Sequence, residues 1–389
     1  MSKDNRIYLD NAATTKISPE VLSEMLPAFG LLFGNASSMY EEGRKSKAAL
    51  EEARRNIADI LEAKPEEIFF TGSGTEADNW AVKGIAFRHQ NKGKHIVTTQ
   101  IEHPAVLESC AYLEKEGFEI TYLPVDKEGL ITPEEVFSAI RPDTILVSVM
   151  MANNEIGTIL PIKEIAEVCK GKRILFHTDA VQAVGSVPVS VKDLGVDLLS
   201  LSAHKFHGPK GIGVLYIKTG TAISPFMNGG RQERGKRAGT ENLPGAIGLS
   251  AALSLAVKDI EENALFLQDI RDTLIDEIEK SIPLCTLNGA REKRLPGNVN
   301  FSFSFVEGES LLLLLDRDGY ACSSGSACTS GSLEPSHVLL SIGLSRELAQ
   351  GSLRISIGKY NTKEEVLSLV PILQKRIERL RQMMPRYVD

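Results

Sequence analysis

Between residues 66 and 218 the chain alternates two kinds of segment, separated by glycine-rich or polar turns. Short apolar runs fall at 68–70, 95–99, 120–125, 144–150, 174–177, 198–202 and 213–217. Their length and their β-branched and aromatic content predict strands. Longer segments with helical patterning lie at 76–88, 105–116, 133–140 and 162–170. Strands flanked by helices of this size predict an α/β architecture, a mostly parallel seven-stranded sheet covered on both faces. In such sheets ligands sit beyond the carboxyl ends of the strands.

Beyond residue 218 the pattern changes. One long helical stretch over 245–281 leads to a second unit with fewer strands, at 299–304 and 353–357, and a terminal amphipathic helix over 363–384. Lys375, Arg376, Arg379 and Arg381 read most simply as that helix's solvated face, with partner docking as the alternative. At 389 residues the chain can hold two domains with a sizeable core. A formal net charge of −7 argues against nucleic acid or an anionic membrane as the default partner. The longest leucine run, 311–315, falls far below the roughly 20 apolar residues that span a bilayer. No apolar signal segment follows Met1, and five scattered cysteines form no disulfide framework. A cytoplasmic protein is expected.

Ser202-Ala203-His204-Lys205-Phe206-His207-Gly208-Pro209-Lys210-Gly211 is the richest segment, a lysine between two histidines just past an apolar run. An amine at the end of a buried strand is costly unless it is neutralised or covalently bound. A Schiff base to the aldehyde of pyridoxal phosphate is one chemistry that uses such a lysine. It also needs a phosphate cradle and a carboxylate for the pyridine nitrogen. Thr71-Gly72-Ser73-Gly74-Thr75-Glu76 opens a helix after a strand and suits a phosphate. Alone, it reads more simply as an ordinary strand-to-helix turn capped by Thr75. Asp179 either holds the pyridine nitrogen protonated or caps the next helix, with Gln182 three residues on. Asn154 is a donor to a cofactor oxygen or part of a turn, and His103 stacks on a flat ring or is structural.

Segment 323–335 surrounds one thiol, Cys328, with small polar residues, the setting of an exposed reactive cysteine. Cys322 reads as a buried strand residue, and Cys110, Cys169 and Cys285 as core. A metal site from Cys322, Cys328 and His337 lacks the close paired spacing of zinc ligands, so no metal is expected. Arg354 is a charge inside an apolar strand and needs an anion, either a structural carboxylate or a substrate carboxylate. The basic loop 229–240 faces an anion or is solvated surface.

In this order the motifs resemble the cysteine desulfurases of the NifS/IscS type, pyridoxal phosphate enzymes of the class V aminotransferase group. Tyr8-Leu9-Asp10-Asn11-Ala12-Ala13-Thr14-Thr15, Asn153-Asn154-Glu155-Ile156-Gly157, His177-Thr178-Asp179-Ala180-Val181-Gln182 and Arg237-Ala238-Gly239-Thr240 share the likeness, which spans essentially the whole chain. The resemblance implies the PLP-dependent transferase fold type I. A large domain would span 15–258, and a smaller α+β domain would combine 1–14 with 259–389 and carry the cysteine loop. It implies that Lys205 bonds the cofactor and moves the substrate's α-proton while His103 stacks on the ring. Asp179 would pair with the ring nitrogen, Gln182 with the phenolic oxygen, and Gly74, Thr75, Ser202 and His204 with the phosphate. Thr240 would reach the phosphate of the other subunit's cofactor, which implies a homodimer. Arg354 and Asn154 would hold the substrate. Cys328 would take the sulfur of L-cysteine as a persulfide, leaving L-alanine, and pass it to an acceptor. The long cysteine loop resembles the branch serving iron–sulfur scaffolds. Cys322 would be packing, or a disulfide partner of Cys328 under oxidation. A selenocysteine or cysteine lyase on the same scaffold is the second enzyme reading. A non-enzymatic scaffold subunit is the third, and retention of Lys205, Asp179, His103 and Cys328 together argues against it.

Overall fold

The computed structural model describes residues 6–324 and 334–383. Strand β1 (Ile7–Tyr8) precedes β2 (Ile68–Thr71), β3 (His95–Thr99), β4 (Glu119–Leu123), β5 (Thr144–Ser148), β6 (Leu175–Asp179), β7 (Leu198–Ser202) and β8 (Gly213–Ile217). The last seven form one sheet in the order β2-β8-β7-β6-β5-β3-β4. β8 runs antiparallel to both its neighbours, and every other pair is parallel. The strands follow the apolar runs closely because both their faces are covered. Ile96, Leu146, Leu198 and Leu215 enter one core, and the adjacent Val97, Val147, Leu199 and Val214 enter the other. That alternation is the period-two geometry of a pleated strand.

The second unit adds β9 (Cys285–Leu287), β10 (Asn298–Phe303), β11 (Tyr320–Ala321) and β12 (Ser352–Ser356). β12-β10-β9 is an antiparallel sheet, and β1 pairs in parallel with β11. A separate apolar core gathers Leu9, Ile270, Leu274, Phe301, Leu353 and Ile377.

Three expectations need correction. The stretch 245–281 is two helices, Leu243–Lys258 and Ile260–Ser281, bent by 70°. The first buries Leu249 and Leu253 in the large-sheet core, and the second buries Ile270 and Leu274 in the smaller one. A straight rod cannot face both. Among the described residues no single helix is long and apolar enough to cross a membrane. The terminal helix divides into Lys363–Leu367 and Leu369–Gln382, and its basic residues do not share one solvated face. Arg381 is buried and donates to the carbonyls of Pro283, Leu284 and Ser304, while Arg376 pairs with Asp318. Lys375 and Arg379 alone of the four are exposed. A helix Glu41–Leu61, outside the alternating stretch, also packs Leu50, Ala53, Ile57 and Leu61 onto the large core.

Candidate active site

Ser202 ends β7, and one 3₁₀ turn, Ala203–Lys205, follows. Lys205 therefore stands at the carboxyl end of the sheet, where Nζ donates to the carbonyls of Ala12 (2.7 Å) and Ala13 (2.9 Å). Around it lies a cavity of about 230 Å³ lined by Gly74, Thr75, Asp78, His103, Asn154, Asp179, Gln182, Ser202, His204 and Arg354, among others. Every cofactor and substrate candidate from the sequence lines it except Thr240. Thr240 is exposed, beside a separate cavity of about 160 Å³ shared with Gly72, Arg237 and Gly239. Cys328 lies outside the described residues.

One end of the cavity is the turn from β2 into the helix Gly74–His89. Ser73, not Thr75, is its cap: Ser73 Oγ accepts from the Glu76 amide at 3.1 Å. A Cβ on Gly74 would lie 2.7 Å from Val181 Cγ2 and 3.3 Å from Ser202 Cβ, so glycine permits the close approach. Ser202 Oγ is buried and makes no hydrogen bond. A buried hydroxyl without a partner is costly unless a ligand supplies one. The hydroxyls, the tight turn and the helix start fit a phosphate.

Two carboxyls also line the cavity. Asp179 Oδ1 accepts from the Val181 amide at 2.9 Å, so the residue also caps the turn after β6. Burial raises its pKa, opposed by that amide and by the Lys205 charge. Asp78 is the second. Burial and then the Asp179 charge hold its carboxyl well above the ordinary range, and its Oδ1 has no hydrogen-bond partner. His177 Nε2 lies 3.7 Å from Asp78, but burial lowers this imidazole to about 3, so it is neutral. Two carboxylates in one dry wall cannot both ionise cheaply. Both are shifted towards the protonated acid, Asp78 the further, and only Asp179 has the Lys205 charge beside it to favour the anion. Such an anion fits a pyridinium nitrogen. The sequence reading missed Asp78, although it occupies a stripe position with Ala81, Val82 and Ile85, all buried on the same helix.

His103 caps the helix Pro104–Lys115, its Nδ1 accepting from the Ala105 amide at 3.1 Å. The neutral ring then carries its proton on Nε2. Burial, followed by the Lys205 and His337 charges, lowers His103 to about 4. His204 is likewise lowered to about 4 by burial and the Lys205 and Lys210 charges, and shares a hydrogen bond with Thr14 Oγ1 at 3.1 Å. Arg354, 1% exposed, donates Nη1 to the Asn154 carbonyl (3.0 Å) and Nη2 to Asp10 Oδ1 (2.9 Å). A structural carboxylate therefore occupies one side of the guanidinium, while its buried Nε has no partner. Gln182 Nε2 donates to the Ala12 carbonyl at 2.9 Å. Residues 10–14 thus close the cavity by holding Lys205, Gln182, His204 and Arg354 at once.

Cys322 follows β11, half-buried rather than fully so, with burial and the Asp10 charge raising its thiol's pKa. Cys110 and Cys169 are core, and Cys285 is half-buried in β9. The basic loop is bonded into the protein. Glu233 accepts from Arg54 Nη1 (2.9 Å), Arg54 Nη2 (2.8 Å) and the Phe70 amide (3.0 Å), and Arg237 pairs with Glu76 at 2.8 Å.

Comparison with known proteins gives the same assignment. The family profile of class V aminotransferases matches residues 7–369. A protein of Methanosarcina thermophila named cysteine desulfurase IscS is 55% identical over 386 residues, 99% of this chain and 95% of its own. A solved NifS-like protein superposes with a TM-score of 0.90 at 39% identity, covering 98% of this chain and 100% of its own. A structure described as SspA in complex with cysteine superposes with a TM-score of 0.81 at 36% identity, covering 92% and 100%. Fold and site define a pyridoxal phosphate enzyme of fold type I. The chain belongs to the class V aminotransferases and, within them, to the cysteine desulfurases.

Proposed function

We propose that the protein converts L-cysteine to L-alanine and carries the sulfur as a persulfide on Cys328 for delivery to an iron–sulfur scaffold. One observation carries this reading: a single cavity is lined by Lys205, Asp179 and Arg354, whose buried Nε has no hydrogen-bond partner. Pyridoxal phosphate, when bound, supplies an aldehyde and an electron-withdrawing ring that acidifies the substrate's Cα proton. Gly74, Thr75, Ser202 and His204 would hold its phosphate, Asp179 would keep the ring nitrogen protonated, and Gln182 would donate to its oxygen, with the neutral His103 beside the ring. Arg354 grips the substrate carboxylate through Nε beside Asn154. Lys205 Nζ, steered by the Ala12 and Ala13 carbonyls, takes the Cα proton and returns it. In the net sulfur step the Cβ–S bond of L-cysteine breaks and an S–S bond to Cys328 Sγ forms. The electron pair stays with carbon, which takes a proton, and the other proton remains on the terminal sulfur. No outside oxidant is needed.

The proposal includes a homodimer in which Thr240 reaches the phosphate of the other subunit's cofactor, and a cytoplasmic location. The exposed apolar side chains between Leu22 and Tyr40 support the dimer. We also propose the domain division at residue 259, supported by the 70° bend and the separate core on either side of it. Residues 338–349 pack back onto the large core. A Cys328→Ser variant tests the function. It is expected to keep its cofactor absorbance and the spectral change on adding L-cysteine, while sulfide and alanine release falls about 100-fold or more. Full turnover by that variant would remove Cys328 from the reaction.

A further inference from the structure

The turn 153–157 does more than present Asn154 to the cavity. Asn153 is buried, its Oδ1 accepting from the Glu155 (2.9 Å) and Ile156 (3.0 Å) amides and its Nδ2 donating to the Ile101 carbonyl at 2.8 Å. The Glu155 carbonyl accepts from Asn298 Nδ2 (3.1 Å) and Asn300 Nδ2 (3.0 Å), which ties the turn to β10. The Glu155 carboxylate is buried and accepts from Ser336 Oγ at 2.5 Å. Ser336 caps the helix His337–Ser341 and stands just after the segment that bears Cys328. The same helix start is tied once more, by His337 Nε2 to the Glu102 carbonyl at 3.0 Å. At the other end of the segment, Ser323 exchanges backbone hydrogen bonds with Arg354 at 2.6 and 3.2 Å. Both ends are therefore anchored beside residues assigned to the cofactor or substrate: Arg354 itself, Asn154 next to Glu155, and His103 next to Glu102.

A helix cap does not require a carboxylate behind it, since the Ser336 hydroxyl alone accepts from the Val338 (3.1 Å) and Leu339 (3.3 Å) amides. Burial raises Glu155 to about 7, opposed by the Ser336 hydrogen bond and the Arg354 charge. An apolar side chain would pack there at lower cost.

We propose that Glu155 is a positioning residue for sulfur transfer: its grip on Ser336 fixes the return end of the Cys328-bearing segment against the wall that binds substrate. This rests on the functional reading above. The test separates two signals in one holoenzyme, the spectral change on adding L-cysteine and the appearance of persulfide on Cys328 by mass spectrometry in a single turnover. Glu155→Leu is expected to keep the first at the wild-type rate and to slow the second about tenfold. Glu155→Gln keeps an acceptor oxygen for the Ser336 hydroxyl and should recover most of the loss. Should Glu155→Leu fail to fold, Ser336→Gly keeps an acceptable cap residue but removes the hydroxyl that donates to Glu155, and should slow the second signal alone. Wild-type persulfide formation in Glu155→Leu, or equal slowing of both signals, overturns the inference. A wild-type enzyme that forms no persulfide on Cys328 instead overturns the functional reading on which it stands.

Discussion

Glu102 has no assigned part in the chemistry, yet it is fully buried between β3 and His103. Its Oε1 accepts from Thr99 Oγ1 (2.7 Å) and the Met150 amide (3.0 Å), while burial lifts its pKa from 4.5 to about 8. The native state thus favours the protonated acid. Its contribution to stability is whole below the unfolded value near 4.5 and is lost as pH rises through about 8. Glu102→Gln keeps an acceptor and never ionises. The variant's urea-unfolding free energy should therefore fall less between about pH 5 and about pH 8 than the wild type's. Parallel curves would show that Glu102 does not titrate in this window. At this scale Lys205, Asp179 and His103 were legible because each stands just past an apolar run, in a short motif. Asp10 and Glu155 were not, since their partners Arg354 and Ser336 come from distant segments and only folding brings them together.

A buried ion pair helps to hold the loop after β8. Glu233 and Arg234 both adopt left-handed backbone angles, φ of 43° and 58°, which cost energy in residues with side chains. The Arg54–Glu233 pair, nearly sealed from water, offsets that strain. Glu233→Ala removes the buried two-point partner of Arg54 and leaves it only the more exposed Glu51, 3.3 Å from Nε, so it should cost roughly 3 kcal/mol in urea denaturation. Replacing both partners, with Arg54→Met and Glu233→Leu, should restore most of that loss. A double variant as unstable as the single would mean that the loop, not the stranded charge, sets the cost. The seven strands were readable because two-sided burial leaves runs of apolar residues. The bend between Lys258 and Ile260 was not. Asp259 is neither glycine nor proline, and both flanks are genuinely helical, so only their opposed cores reveal the break.

Leu26, Phe29, Leu31 and Phe33 are 60%, 65%, 79% and 72% exposed, a concentration of apolar surface that a solitary chain would carry at some cost in solubility. If a second copy covers them, Phe29→Glu combined with Leu31→Glu should elute as a monomer by light scattering while the parent elutes as a dimer. A dimeric double variant would place the subunit contact elsewhere. The smaller unit was only partly legible, because β1, β9 and β11 are two or three residues long and carry no periodicity. The seat of β1 has a consequence for biogenesis. This strand and Asp10 are translated well before their partners β11 and Arg354, the latter 344 residues after Asp10. A nascent polypeptide can assemble its central sheet and still lack a closed pocket. Vitamin loading should therefore await the emergence of Arg354 rather than accompany synthesis of the central sheet.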